Sequence, residues 1–349
     1  MRAYLLGNLS DQQSGIYVLE ALGIIDKEAT ATDTRKITND YGRDEGQSII
    51  MDEIKKLTFK PDIIVVLKGL EFTPKTIAEI REMFPDALYI NWFFDRYFIG
   101  KDIWESQEHF DVLRQFDYFF CSLKGVATRL QKAGLKNAYH LPEACAPKYH
   151  IAPYYNSYQE RKYGEDVSFI GSLGYVKIHP TRIRMLQRMV REGFQTKLWG
   201  AIIGNPKSIP LELRQTHTGN QIINESHGIV ANASLINLGL DHDLDIEQGY
   251  SARIYRIMCA GGLYLSNYIP EIETVFKVNG KGEPITAEQD LVVFYDENDL
   301  VEKLDFLLEH DNIRKKIAEN GKKTVLAKHT FEHRIQEMLD FIKNKIKVI

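Results

Sequence analysis

The segment 249–267, GYSARIYRIMCAGGLYLSN, sets a serine and an arginine two positions apart at the start of an apolar helical pattern. The pattern predicts a helix from Ser251 to Cys259, stopped by Gly261-Gly262, and then a buried strand LYLSN. Ser251 has an ordinary use as an N-cap, worth ~1 kcal/mol. Arg253 has no such use, because a cation in the first turn faces the positive end of the helix dipole and costs ~0.3–1 kcal/mol when exposed. A bound phosphate reverses that sign, since free N–H groups and a guanidinium then converge on one anion. The structural alternative is that Arg253 pairs with one of the acidic residues in 241–247.

Two loops repeat this chemistry. DVSFIGSLGYVKIHPTR (166–182) places Gly171, Ser172 and Gly174 where backbone can approach a ligand, with Lys177 and Arg182 beyond them. Cations after a glycine-containing strand–loop suit a diphosphate, and a solvated basic turn is the plain alternative. AYLLG (3–7) runs into NLSDQQSG (8–15), a small polar loop that leads to a helix near Ser14-Gly15. Such a loop can present N–H groups to an anion or a sugar hydroxyl, or be an ordinary strand-to-helix turn. No G-x-G-x-x-G is present, so a dinucleotide fingerprint is unsupported. His329 and His333 stand four apart without cysteine or acidic partners at metal spacing, so no zinc site is expected. DHDLDIE (241–247) lacks the glycine and terminal glutamate of a calcium loop and reads as a solvated loop.

These residues need elements to hold them. The chain has 349 residues, which suggests two domains, with 44% hydrophobic and 26% charged residues, a soluble-globular balance. A net charge of −4 gives no overall pull toward nucleic acid or an anionic membrane. Three scattered cysteines without a CxxC fit a reducing compartment. No apolar run approaches ~20 residues, and the N-terminus turns polar after a first strand, so neither a membrane span nor a signal peptide is expected. The location expected from this is cytoplasmic.

Short apolar runs alternate with helical patterns. Expected strands are 3–7, 62–69, 88–93, 118–122 and 138–142 in the first half. The second half offers 166–172, 195–200, 234–240, 263–267 and 291–296. The alternation predicts parallel sheets covered by helices on both faces, an α/β fold of two doubly wound domains facing a cleft. Residues 146–165, rich in Pro, Tyr and charge, break the rhythm. The expected division is therefore 1–150, a linker at 151–165, a second domain at 166–328, and a C-terminal helix at 329–349 that packs back toward the first domain. Ligands of such sheets bind beyond the carboxyl ends of the strands.

SFIGSLGY, S-x-R-x-Y-x-I-M-x-x-G-G at 251–262 and AKHTFEHRIQEML at 327–339 resemble the CgeB-like (spore maturation protein CgeB) glycosyltransferases. That GT-B-fold group is related to the family 1 and family 4 glycosyltransferases. Weaker similarities are KPDIIVVLKG, NWFFD and HLPEACAPKYH. The resemblance implies two Rossmann-like domains and transfer of a sugar from a nucleotide-sugar, linked to UDP, GDP or dTDP. The acceptor would be a glycan, a protein or a small molecule. It further implies a metal-independent, retaining reaction with no cofactor.

On this mapping Gly171, Ser172, Arg182, Ser251 and Arg253 lie around the donor diphosphate. Trp199 and Gly200 border the base or ribose, and Tyr255 and Glu271 complete the donor side. Gly7, Asn8, Lys68 and Asp95 face the acceptor, and Asp95, Lys177 and Arg253 are the candidate catalytic residues. One departure stands out: Gln248 and Arg256 occupy the positions of the glutamate pair usual in family 4 relatives. Arginine cannot accept a hydrogen bond, so it cannot hold a donor ribose as a glutamate does. A nucleotide-sugar epimerase on the same fold, and a non-catalytic nucleotide- or glycan-binding relative, are the alternative functions. Aromatic runs at 91–98 and 154–163 suit sugar stacking or core packing equally.

Overall fold

A computed structural model describes residues 1–10, 13–95, 106–152, 155–174, 180–241 and 249–346. The chain divides into two compact units, one of Met1–Glu143 with Phe331–Ile349 and the other of Ala144–Thr330.

The first unit is built on six parallel strands in the order β2-β1-β3-β4-β5-β6. They are β1 (Ala3–Gly7), β2 (Thr30–Asp33), β3 (Ile63–Leu67), β4 (Leu88–Phe93), β5 (Tyr118–Cys121) and β6 (Ala138–His140). AYLLG and IIVVL are buried at every residue, as strands covered on both faces must be. The sequence reading missed β2. TATD is a polar, largely accessible edge strand with no apolar run to reveal it, and only its parallel pairing with β1 makes it a strand. The expected strand 62–69 ends earlier, because Lys68 and Gly69 leave the sheet with φ of 60° and 78°.

The second unit carries five parallel strands in the order β11-β10-β9-β7-β8. These are β7 (Val167–Ile170), β8 (Thr196–Trp199), β9 (Ile236–Gly239), β10 (Tyr264–Asn267) and β11 (Val292–Phe294). One face is sealed by an aliphatic cluster that includes Ile183, Leu186, Leu265 and Leu304. The other holds Tyr255, Met258, Tyr264 and Val325 among others. Within the stretch read as a linker, Ser157–Tyr163 forms a helix with a capping box at Asn156 and Gln159. Two sequential helical cues there, Asn at the cap and Gln three residues on, lay hidden in a composition that looked like loop.

In each sheet the chain winds one way and then the other. The reversal lies between β1 and β3 in the first unit and between β7 and β9 in the second. Connections leave such a pair in opposite directions, which opens room at its carboxyl ends.

The helix Phe331–Ile346 belongs to the first unit. Phe331 packs 5.6 Å from Tyr17 and 6.0 Å from Trp92, and Phe341 lies 4.6 Å from Tyr139. Arg334 donates to the carbonyls of Pro142 and Glu143 at 3.1 and 3.2 Å. Trp92 is fully buried and its indole N–H donates to Leu141 O, so this member of the 91–98 aromatic run is core. Phe331→Ala, which empties a site only 1% exposed, should cost about 3–5 kcal/mol in denaturant unfolding of the chain. A loss under 1 kcal/mol would show that the helix is not part of this core.

Candidate functional site

Arg253 occupies the reversal point of the second sheet. Its Nε donates to Ile170 O, the last carbonyl of β7, at 2.5 Å. Its Nη1 reaches Asp241 Oδ1, just past β9, at 3.0 Å. Arg253 is thus ion-paired with a residue of 241–247, the structural alternative, and ties two diverging strand ends together. Its side chain is 11% exposed and that of Asp241 2%. Burial works against the Asp241 carboxylate, but Arg253 and the Ser251 hydrogen bonds prevail and hold its pKa below the ordinary 3.8.

Ser251 does not cap the helix, correcting the first expectation. The helix runs Arg253–Ala260, its N-cap is Ala252, and no side chain caps it. Ser251 instead donates to Asp241 twice, from Oγ at 2.8 Å and from its backbone N–H at 3.1 Å. The helix stops as expected at Gly261, in the left-handed conformation with φ 104°.

Arg182 repeats the tie. Its Nε and Nη2 donate to Leu240 O at 3.1 and 2.9 Å, and its Nη1 to Ser172 O at 2.8 Å. Two arginines therefore satisfy carbonyls left open where β7 and β9 part. Gly171 is required by this closeness, since a Cβ there would sit 2.8 Å from Arg253 Nη2. Gly200, at φ 126°, approaches so near that its Cβ would meet Gly171 O at 2.5 Å. The structure thus gathers Gly171, Ser172, Arg182, Trp199, Gly200, Ser251 and Arg253 at one end of the second sheet.

Two residues assigned to the donor side differ in character. Tyr255 is a core residue, 1% exposed, with its hydroxyl 3.0 Å from that of Tyr250 and its ring against Phe276 and His329. Glu271, on the short helix Pro270–Glu273 after β10, has a buried Oε2 without a hydrogen-bond partner among the described residues. The buried indole N–H of Trp199 is likewise unpartnered among them. A buried donor and a buried acceptor left open are what a bound polar molecule would satisfy. Beyond β10 and β11 a cavity of about 640 Å³ opens beside Asp241, lined by Arg184, Arg188 and a stacked Tyr268–Tyr295 pair at 4.7 Å. Lys177 and Gln248 lie outside the described residues.

The reading of the sequence held Asp241 only as one of the acidic residues in 241–247 with which Arg253 could pair, and missed the buried imidazoles His150 and His227, 6.3 Å apart. Burial, then Arg256 and Arg253, lower the His227 pKa to about 3, so it is neutral near pH 7.

The first sheet has a site at its own reversal point. A cavity of about 220 Å³ is lined by Asn8, Gln13 and Ser14 after β1, and by Lys68 and Glu71 after β3. Arg35, from the helix Thr34–Tyr41, borders it, with its Nη1 3.4 Å from Glu71 Oε1. Neither Arg35 nor Glu71 was picked out in the sequence, because each is a lone charge in an ordinary helix or turn. Gly7 faces Leu67 so closely that a Cβ would lie 2.9 Å away. Lys68 Nζ is ion-paired with Asp95, whose side chain is 63% exposed.

Lys68 is one of two non-glycine residues with positive φ among the described residues. Such a backbone costs of order 1–3 kcal/mol and persists where surroundings impose it. Here Asn91 Nδ2 and His109 Nε2 both lie 3.2 Å from Lys68 O, and its N–H donates to Trp92 O at 3.0 Å. A carbonyl only accepts, so His109 carries its proton on Nε2. Burial first lowers the His109 pKa to about 4, which keeps the ring in that neutral form.

Among the described residues no three His, Cys, Asp or Glu side chains are grouped to hold a metal ion. No described helix is long and apolar enough to cross a membrane.

Arg253→Met, which leaves Asp241 buried without its cation, should cost about 3–5 kcal/mol of stability without ligand. Asp241→Asn combined with it should recover part of that loss. The pair's contribution is present above the ordinary carboxyl pKa and disappears as pH falls through the depressed value of Asp241. Thermal melting of the variants across pH 2 to 7 checks both points; an Arg253→Met chain as stable as the parent would overturn the role given to the pair.

Residues 182–340 match a family model described as glycosyl transferase-like. By structure the chain is similar to sucrose-phosphate synthase from Thermosynechococcus elongatus, with a TM-score of 0.64, 11% identity, and 100% of both chains covered. It is similar to an alpha-glucosyltransferase in complex with UDP, with a TM-score of 0.65, 12% identity, and 98% of this chain and 100% of that one covered. The N-terminal domain of Candida albicans trehalose-6-phosphate phosphatase aligns with a TM-score of 0.61 at 9% identity, covering 98% and 96%. No curated protein matches the sequence. The family match and the architecture support a transferase: the fold is that of the GT-B glycosyltransferases, and the second unit carries most of a glycosyl transferase-like segment.

Proposed function

We propose that the chain transfers a sugar from a nucleotide-sugar to an acceptor hydroxyl, with the donor held by the second unit. One observation carries this reading. Within and beside the segment that matches the glycosyl transferase-like family, the β7–β9 reversal point combines close-approaching glycines with two arginines fixed on its open carbonyls. A UDP-bound alpha-glucosyltransferase among the structural neighbours supports UDP as a donor base, with GDP and dTDP the alternatives.

The donor diphosphate would lie against Gly171, Ser172 and Ser251, with Lys177 as a further cation. Arg253 presents five N–H donors, and Ile170 O and Asp241 engage two of its nitrogens. Its fixed guanidinium supplies positive potential to a leaving diphosphate without reorganisation, which is how a pre-set cation lowers a barrier. In that role it replaces a metal ion. The pairing with Asp241 moderates its charge but fixes its place. Retention of the anomeric configuration is part of the proposal. Gln248 and Arg256, in place of a glutamate pair, favour a second reading, a nucleotide-binding relative without turnover.

Saturating UDP, GDP or dTDP should raise the melting temperature in the presence of a chelator. A ligand at ~100 times its dissociation constant adds ~2.7 kcal/mol. Unchanged melting with all three would sink the proposal. Slow hydrolysis of the matching nucleotide-sugar without acceptor separates the two readings: a transferase releases free sugar, and a binding relative does not.

A further inference from the structure

The pocket at the carboxyl ends of β1 and β3 has chemistry that goes beyond sugar transfer in general. We propose that it binds an oxyanion carried by the acceptor, a phosphate or a carboxylate on a single sugar-sized molecule, through Lys68 and Arg35. This rests on the glycosyltransferase reading and names the class of acceptor.

The size comes first. About 220 Å³ equals roughly seven waters of liquid volume, below the ~300 Å³ at which drug-sized pockets begin. One ring with a substituent fits such a space better than a nucleotide does.

The charge comes next. Among the lining residues two are cations, Lys68 and Arg35, and one is an acid, Glu71. The Glu71 side chain is 8% exposed, and its burial disfavours the carboxylate and raises its pKa despite Arg35 and Lys68 nearby. With Asp95 offsetting Lys68 and Glu71 offsetting Arg35 the charges balance, and the described lining becomes net positive when Lys68 exchanges Asp95 for a ligand or Glu71 takes up a proton. Lys68 and Arg35 remain about one-third exposed, so both can turn toward a ligand. The partner that Lys68 now holds, Asp95, is mostly in solvent, where an ion pair is weak and readily exchanged. Asn8, Gln13 and Ser14 supply neutral polar groups for sugar hydroxyls.

The strained backbone supports the same conclusion. Asn91 and His109, buried beneath the pocket, fix the Lys68 carbonyl from two directions and so fix where its side chain begins. A lysine that served only a surface ion pair would need no such mounting.

Titration calorimetry on the full chain with glucose 6-phosphate, glucuronate, glucose and inorganic phosphate tests the proposal. One of the two charged sugars should bind at least tenfold more tightly than glucose and than inorganic phosphate, and which one it is assigns the anion. Arg35→Gln and Lys68→Gln should each weaken that binding roughly tenfold or more. Glu71→Gln should leave it unchanged or tighten it, because it removes the one lining carboxylate. Equal binding of glucose, no binding of either charged sugar, or no loss in Arg35→Gln and Lys68→Gln overturns the proposal. Melting with whichever of UDP, GDP and dTDP stabilises the parent chain, run on every variant, shows that the fold and donor side are intact. Failure of UDP, GDP and dTDP alike to stabilise the parent chain counts against the transferase reading, whereas failure of the charged-sugar titration alone counts against this one.

Discussion

The second unit depends on how the charge of Arg253 is satisfied. A guanidinium placed at the positive end of a helix and largely out of water is costly unless an anion and carbonyl acceptors meet it. Asp241 and Ile170 O do so, and each belongs to a different strand end. The same contact therefore holds β7 and β9 together where the sheet reverses, places the start of the helix Arg253–Ala260, and requires a glycine at position 171. One buried ion pair serves structure first.

The first unit meets a similar demand with backbone. At the end of β3 the chain turns through two successive positive-φ residues, one of them a lysine. Its carbonyl is shared between a buried amide and an imidazole that burial keeps neutral. Both units thus spend packing and hydrogen bonds at the carboxyl ends of the strands flanking a reversal, one to fix an arginine and the other to fix a lysine. Each so fixes a cation at the carboxyl ends of its strands.

That common arrangement fits a chain whose fold is shared with enzymes of low sequence identity, between 9% and 12% for the structures compared. A doubly wound sheet tolerates replacement of most residues while keeping its reversal point. The residues placed there can then vary.

The sequence by itself determined the parallel strands. Runs such as AYLLG, IIVVL and VSFI are apolar on both faces, and a strand of that kind has no stable place except inside a helix-covered sheet. It also pointed to Gly171, Ser251 and Arg253, since glycine after a strand and charge at a helix start are local features, whereas Gly200 and Lys68 came only from the family resemblance. Tertiary structure decided the rest. The edge strand TATD needed a neighbour to become a strand. Asp241 was one of four acidic residues in 241–247 until the fold set it 3.0 Å from Arg253. Arg35 and Glu71 stand 36 residues apart and share a pocket only because β1 and β3 lie side by side. Pairings over such distances leave no periodic trace, so only the folded chain could reveal which charges meet.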